Sequence, residues 1–183
     1  TSGIKDFTSM KSIKNIARSD LSPKELVDFF KNEPVDFKPG EQFKYCNSGY
    51  VLLGYIIEIA SGQTYQEFVN HNIFEKLGMT DTYYASHERI IKNRVFGYRD
   101  KEGYINATYI SFSIPYASGS IMSNVDDMLK WQNAIDANVL LNPISTKKVF
   151  TNYKLNNGPN IDYGYGWHIK ELNGKLVREH GGR

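Results

Sequence analysis

The chain has 183 residues, enough for one domain with a hydrophobic core, and its 40% hydrophobic and 23% charged residues are ordinary for a soluble globular protein. Its 22 basic and 20 acidic residues give a formal net charge of +2, so neither nucleic acid nor an anionic membrane is an expected partner. No stretch reaches the roughly 18 consecutive apolar residues of a membrane span, and no signal-peptide pattern opens the sequence.

The first third of the chain predicts helices separated by capping and turn residues. A weak helical stretch covers residues 11–18. Ser22-Pro23-Lys24-Glu25 is a capping box with proline at the first helical position, so a helix is expected from Pro23 to about Lys31. The apolar run 50–60 is interrupted only by Gly54 and Glu58. It predicts a helix that is buried on nearly every side.

Tyr45 and Asn47 stand at the start of this apolar helix. Asn47 and Ser48 are favourable N-cap residues, and Ser61-Gly62 marks the helix end because glycine readily adopts the left-handed cap conformation. A tyrosine that acts as a base needs its phenolate favoured, and a helix N-terminus or a lysine would favour it. Asn47 can donate and accept hydrogen bonds, and so could orient an amide or ester substrate. The alternative is that Asn47 is only an N-cap and Tyr45 only a boundary aromatic residue.

The middle of the chain predicts short elements in alternation. They are a helix over 65–74 capped by Thr64, an extended piece over 82–85, a hairpin of strands 95–99 and 104–108, and an irregular loop over 111–119. A further helix should begin at Ser123-Asn124 and continue to about Ala137. Asp126 and Asp127 are interpreted as helix-start residues, because adjacent helical positions point to different faces and make a poor acid/base pair. Another short helix should run from Asn142-Pro143 through Phe150.

The last 21 residues carry the clearest β signal. A strand over 163–170, the turn Asn173-Gly174 and a returning strand over 175–180 predict a hairpin. Two strands alone are marginal in water, so this hairpin should belong to a larger sheet, and the sequence looks cut at both ends. We therefore expect an α+β fold in which residues 1–162 form a mainly helical region with a short hairpin, and residues 163–183 form a hairpin of the central sheet.

The single cysteine and the four histidines suggest neither a disulfide nor a metal site. Cys46 lacks an evident His, Asn or Asp partner, so it is interpreted as a small buried residue rather than a nucleophile. The histidines, which have no metal-ligand spacing, are His71, His87, His168 and His180. We expect no metal and no cofactor.

Four sequence blocks stand in order from one end of the chain to the other. They are Thr-Ser-Gly-Ile (1–4), Pro-Gly-x-x-Phe-x-Tyr-x-Asn-x-Gly-Tyr-x-Leu-Leu-Gly-x-Ile-Ile-Glu (39–58), Ala-Ser-Gly-Ser-Ile-Met-Ser-Asn-Val-Asp-Asp-Met-Leu-Lys-Trp (117–131), and Tyr-Gly-Tyr-Gly-Trp (163–167) followed by His-Gly-Gly (180–182). Together they resemble the serine β-lactamase-like hydrolases, which include class C β-lactamases, DD-peptidases and related esterases. The second block is similar to the family's Y-x-N motif. The last is similar to its K-T-G motif, which is often H-x-G in the esterase and peptidase branches.

The resemblance implies a β-lactamase/DD-peptidase-like fold, incomplete in this chain, and hydrolysis of an amide or ester bond through an acyl-enzyme. The substrate would be a small molecule or short peptide: a β-lactam, a D-amino-acid peptide or an ester. By the same resemblance, Tyr45 is the general base or part of the proton relay, and Asn47 binds substrate. His180, Gly181 and Gly182 would line the acyl site. A bacterial, extracytoplasmic location is implied on the same grounds.

The family's Ser-x-x-Lys nucleophile segment should precede Thr1, and the chain by itself is therefore expected to be an inactive fragment. A non-catalytic module that binds peptidoglycan-like peptides is the alternative. Histidine in place of the motif lysine favours an esterase or D-aminopeptidase over a β-lactamase. Tyr45, Asn47 and His180 should face one cleft, no more than about 15 Å apart, since one small substrate must reach all three.

Overall fold

The computed structural model describes residues 1–182, which fold into helices and short antiparallel strands. The α-helices are α1 (Ile13–Ile16), α2 (Pro23–Phe30), α3 (Asn47–Ser61), α4 (Tyr65–Val69), α5 (Glu75–Leu77), α6 (Val125–Asp136) and α7 (Pro143–Val149). A π-helical segment, Asn70–Phe74, joins α4 to α5, and single 3₁₀ turns lie at Phe7–Ser9 and Tyr116–Ser118. The predicted α+β class is confirmed.

The strands form three two-stranded antiparallel sheets. They are β1 (Tyr83–Tyr84) with β4 (Ile121–Met122), β2 (Tyr98–Asp100) with β3 (Tyr104–Asn106), and β5 (His168–Leu172) with β6 (Lys175–Glu179). Both predicted hairpins are present, although β2 and β3 are shorter than expected. In the second hairpin Asn173 and Gly174 have φ angles of 51° and 73°, as a tight two-residue turn requires. Within residues 1–182, β5–β6 has no third strand.

The starts of α2, α6 and α7 follow the predicted capping residues. Ser22 and Glu25 form the expected reciprocal capping box at α2. Asn124 Oδ1 accepts the Asp127 N–H at 2.8 Å at the start of α6. Asn142 Oδ1 accepts the Ser145 N–H at 2.9 Å at the start of α7. These signals act over three residues, which is why the sequence predicts them well.

The expectation that α3 is buried on nearly every side is wrong. Its fully buried residues, Ser48, Val51 and Gly54, form one stripe at three-residue spacing. The helix contacts α2, α4, the turn Tyr116–Ser118 and the turn Phe7–Ser9. The opposite face exposes apolar side chains, of which Leu53 is 53% and Ile56 is 56% accessible. Apolar composition shows that a helix avoids water but not which of its faces finds a partner.

Two apolar clusters make up the core. The larger is centred on the buried side chains of Phe7, Leu26, Phe30, Val51, Ile114 and Tyr116. The smaller is centred on Val69, Phe74 and Met79. The larger cluster fixes α3 against the N-terminal segment, and so positions the start of α3, where the predicted site lies. None of the helices in residues 1–182 is both long and apolar enough to cross a membrane.

Candidate active site

The start of α3 is capped by a carboxylate far away in sequence. The sequence predicted Asn47 or Ser48 at the N-cap, but Cys46 occupies that position and Asn47 is the first helical residue. The Asn47 N–H donates to Asp6 Oδ1 at 3.0 Å, and Asp6 is only 8% exposed. Ser48 Oγ accepts the Phe7 N–H at 2.9 Å. A carboxylate at a helix N-terminus is stabilising, because it faces the positive end of the helix dipole.

Tyr45 lies just ahead of this capped terminus and is 43% exposed. Partial burial, and then the Asp6 carboxylate, raise the pKa of Tyr45 above its usual value. The adjacent lysine, Lys44, pairs with Asp36. The field at Tyr45 is therefore opposite to the one that would favour a phenolate, and the described residues hold Tyr45 as a neutral phenol.

A cavity of about 600 Å³, the aromatic cavity, opens beside Tyr45. Its lining includes Phe43, Tyr45, Cys46, Tyr50, Tyr153 and Tyr163. Burial raises the pKa of Cys46, which keeps it a thiol at neutral pH. Its Sγ donates to the Ile4 carbonyl at 3.3 Å. These features support the interpretation of Cys46 as a packing residue, not a nucleophile.

The structure brings Tyr45 and His180 together although they are far apart in sequence. Their ring centroids are 5.7 Å apart. His180 Nε2 shares a hydrogen bond with Tyr163 Oη at 3.1 Å, and its Nδ1 lies 2.7 Å from the Gly181 carbonyl oxygen. Asn47 Nδ2 donates to Thr8 Oγ1 at 3.2 Å, which ties that side chain to the N-terminal segment.

Gly181 and Gly182 are not part of the returning strand. That strand, β6, ends at Glu179, and both glycines are exposed. They are also absent from the lining of the aromatic cavity. The roles of Tyr45, Asn47, His180, Gly181 and Gly182 stay predictions.

Tyr163 is a site residue that the sequence did not single out. It is 8% exposed, packs against the Phe43 ring at 5.1 Å and against His168 at 4.8 Å, and holds His180 through its hydroxyl. The predicted strand 163–170 begins only at His168, because Gly166 has a φ of 79° and Tyr163 turns back to bridge with His168. The alternating Tyr-Gly-Tyr-Gly pattern is typical of such a turn as well as of a strand.

Ser-x-x-Lys spacing occurs twice in the chain, at Ser2–Lys5 and Ser145–Lys148. Ser2 lines the aromatic cavity but lies outside any helix, and Lys5 pairs with Asp36 at 2.9 Å. Ser145 and Lys148 both lie on α7, and neither lines the aromatic cavity. Neither pair joins a serine and a lysine beside Tyr45.

Among residues 1–182, no group of three or more His, Cys, Asp or Glu side chains could hold a metal ion.

The whole length of the chain, residues 1–183, matches the family model described as Beta-lactamase. The chain belongs to the β-lactamase family. Members of this family include serine hydrolases with D-aminopeptidase activity and penicillin-binding proteins. The resemblance deduced from the four sequence blocks is thus confirmed.

Three proteins illustrate the relationship. The mitochondrial serine β-lactamase-like protein LACTB of Mus musculus is 40% identical over 113 residues, which cover 61% of this chain and 20% of LACTB. A penicillin-binding protein of Bacillus subtilis is 29% identical over 202 residues, covering 100% of this chain and 44% of that protein. The crystal structure of D-amino acid amidase from Ochrobactrum anthropi in complex with D-phenylalanine superposes with a TM-score of 0.79 at 27% identity, covering 98% of this chain and 55% of the amidase. The match therefore spans about a fifth to about half the length of these β-lactamase-family proteins.

Proposed function

We propose that the chain supplies the tyrosine-containing face of a serine hydrolase that cleaves amide or ester bonds of small D-amino-acid compounds. The observation that carries the proposal is the pairing of Tyr45 with His180 at the edge of the aromatic cavity. Tyr45 lines this cavity, which is large enough for a small substrate, and His180, which is not among the lining residues, packs against the Tyr45 ring. The D-amino acid amidase, which has the same fold, binds D-phenylalanine, and this supports the substrate class.

In the proposed reaction a serine hydroxyl attacks the carbonyl carbon of the substrate. The serine proton passes through the Tyr45 hydroxyl to the leaving amine or alcohol, and an acyl-serine ester remains. Water then attacks this ester, which releases the carboxylic acid and restores the serine. The nucleophilic serine and a neighbouring cation are proposed to come from sequence outside residues 1–183. The cation is required because partial burial and then the Asp6 carboxylate raise the pKa of Tyr45, and a positive group beside the phenol would offset that effect.

His180 and Asn47 would position the substrate in this scheme. The hydrogen bond between His180 Nε2 and Tyr163 Oη holds the imidazole beside Tyr45, and Nδ1 would exchange the Gly181 carbonyl for a substrate carbonyl or carboxylate. Histidine stands where the family's motif has a lysine, and this difference favours an amidase or esterase over a β-lactamase. A bacterial envelope location is likewise a proposal, and the LACTB relative is named as mitochondrial.

A non-catalytic peptide-binding module is the second candidate. It is favoured by one observation, namely that the described residues keep Tyr45 neutral. Such a module would retain the cavity and the Tyr45–His180 pair for recognition but would form no acyl-enzyme. The two candidates therefore differ in whether a serine becomes covalently modified.

The test is covalent labelling of the product of the full gene. The protein is incubated with a fluorophosphonate, and the modified peptide is identified by mass spectrometry. The hydrolase proposal predicts one adduct on a serine, lost when that serine is changed to alanine. A folded protein that gives no adduct yet still binds D-alanyl-D-alanine would overturn the hydrolase proposal in favour of the binding module.

A further inference from the structure

The two ring nitrogens of His180 have partners of different hydrogen-bonding character. Nδ1 lies 2.7 Å from the carbonyl oxygen of Gly181, and Nε2 lies 3.1 Å from the hydroxyl oxygen of Tyr163. A carbonyl oxygen only accepts hydrogen bonds, whereas a tyrosine hydroxyl both donates and accepts them. The Nδ1 contact is therefore a hydrogen bond only when Nδ1 carries the proton.

This contact determines where the proton of the neutral imidazole lies. A neutral histidine has one ring N–H, so a proton on Nδ1 leaves Nε2 with a lone pair. The Tyr163 hydroxyl is then the donor in its contact with Nε2. The other neutral tautomer would place the Nδ1 lone pair against the Gly181 carbonyl oxygen, which leaves two acceptors facing each other. The two contacts thus describe one tautomer of His180, with Nδ1 protonated and Nε2 accepting.

The packing of Tyr163 holds its hydroxyl at His180. The side chain is 8% exposed, and its ring centroid lies 5.1 Å from that of Phe43 and 4.8 Å from that of His168. On the backbone, the Tyr163 carbonyl accepts the Tyr153 N–H at 3.0 Å. Burial raises the pKa of Tyr163, so it stays a protonated phenol over the whole range in which an imidazole titrates. Tyr163 is therefore a fixed donor.

The remaining neighbours of the His180 ring are aromatic. Its centroid lies 5.7 Å from that of Tyr45 and 5.9 Å from that of His168. Within residues 1–182, the His180 side chain forms hydrogen bonds only with Tyr163 and Gly181. Tyr163 is buried, whereas Gly181 is exposed and lies beyond the end of β6. The Nδ1–H is thus the donor that a substrate can take over.

We propose that Tyr163 is a positioning residue that fixes His180 as the Nδ1–H tautomer, so that His180 presents a hydrogen-bond donor to the substrate. The Nδ1–H would leave the Gly181 carbonyl and donate to a carbonyl or carboxylate oxygen of the substrate. The single lone pair of the ring, on Nε2, accepts the Tyr163 proton, so His180 takes no proton from the serine. The substrate part rests on the proposed hydrolase function, whereas the tautomer does not.

Tyr163→Phe removes this donor and keeps the ring. The contacts with Phe43 and His168 do not involve the hydroxyl, so the variant should fold. Nε2 then lacks its donor and can carry the proton itself. The ratio of the Nδ1–H to the Nε2–H tautomer of His180 should fall at least about fivefold, the effect expected for the loss of one hydrogen bond. Tyr98→Phe, an exposed position on β2, is the matched control and should keep the wild-type ratio.

The experiment is long-range ¹H–¹⁵N NMR of the full-gene product labelled with ¹⁵N-histidine, at about pH 8.5, roughly two units above the ordinary histidine pKa of about 6.5. A ring nitrogen that carries a proton and one that carries a lone pair have well separated ¹⁵N shifts, so each histidine reports its tautomer. His180→Gln identifies the His180 signals by their loss. The wild type should show His180 as the Nδ1–H tautomer.

Two results would overturn the tautomer assignment or the role of Tyr163. The first is the Nε2–H tautomer of His180 in the wild type, a measurement that needs no folded variant of Tyr163. The second is an unchanged tautomer ratio in Tyr163→Phe, which would mean that another group fixes the ring.

Fluorophosphonate labelling tests the substrate part separately. The phosphoryl oxygen of the probe takes the place of the substrate carbonyl, so Tyr163→Phe should be labelled about fivefold more slowly than the wild type, and Tyr98→Phe at the wild-type rate. Equal rates with a shifted tautomer ratio would overturn the use of the Nδ1–H by the substrate. No adduct on a wild type that shows the Nδ1–H tautomer would instead overturn the proposed function and leave the tautomer assignment standing.

Discussion

Replacing Tyr45 with phenylalanine should slow fluorophosphonate labelling of the full-length protein by a factor of about 10²–10⁴, the usual contribution of a positioned proton-transfer group. The substitution removes only the hydroxyl that is proposed to carry the serine proton. The ring should keep its position, because its contact with His180 at a centroid distance of 5.7 Å does not involve the hydroxyl. The measurement is the second-order rate constant of labelling, determined by mass spectrometry over time.

Tyr98→Phe is the matched control for this variant. Tyr98 lies on β2 with 63% of its surface exposed, and it does not line the aromatic cavity. Its loss of a hydroxyl should leave the labelling rate unchanged. If Tyr45→Phe is labelled as fast as Tyr98→Phe, then Tyr45 has no part in proton transfer, and its place beside His180 is structural.

Gly54→Ala should destabilise the fold by about 1–3 kcal/mol, although alanine is the better helix former. A Cβ at position 54 would lie 2.2 Å from Ala117 Cβ and 2.9 Å from Tyr116 Cε1. Both distances are far below van der Waals contact. Neither neighbour can move aside easily, since Ala117 has no rotatable side chain and Tyr116 is buried. The helix and the turn Tyr116–Ser118 would have to separate.

Gly49→Ala on the same helix is the control. Apart from its chain neighbours and the backbone of its own helix, no atom lies within 4 Å of a Cβ built at Gly49, so this variant should match the wild type or gain up to about 1 kcal/mol from helix propensity. Urea unfolding of all three proteins gives the comparison. A Gly54→Ala variant as stable as Gly49→Ala would show that α3 and the turn are packed more loosely than the structure describes.

Local features of this fold are predictable from sequence, whereas long-range ones mostly are not. The capping box at Ser22 and the turn at Asn173-Gly174 depend on residues within a few positions of each other. The capping of α3 by Asp6 joins residues 41 apart, and no local pattern signals it. The pairing of β1 with β4 is equally remote, and sequence analysis assigned only the first of the two strands.

In the candidate site, too, the contacts between residues distant in sequence were the part that residue patterns alone did not predict. Residue patterns alone left Tyr45 open as a boundary aromatic, and only the resemblance to a known family linked it with His180. The ring contact between them agrees with that link. Tyr163 escaped prediction because its role depends on a turn at Gly166 and on two contacts, with Phe43 and His180, that arise only on folding.

The central claim is that Tyr45 and His180 act in one site, and a double-mutant cycle tests it most directly. Labelling rates would be measured for the wild type, Tyr45→Phe, His180→Ala and the double variant, each shown to be folded. If the two residues act on the same reacting group, the cost in the double variant should be smaller than the two single costs combined, with a coupling of about 0.5–3 kcal/mol. Additive costs would contradict the claim, and would mean that the two rings touch without sharing a function.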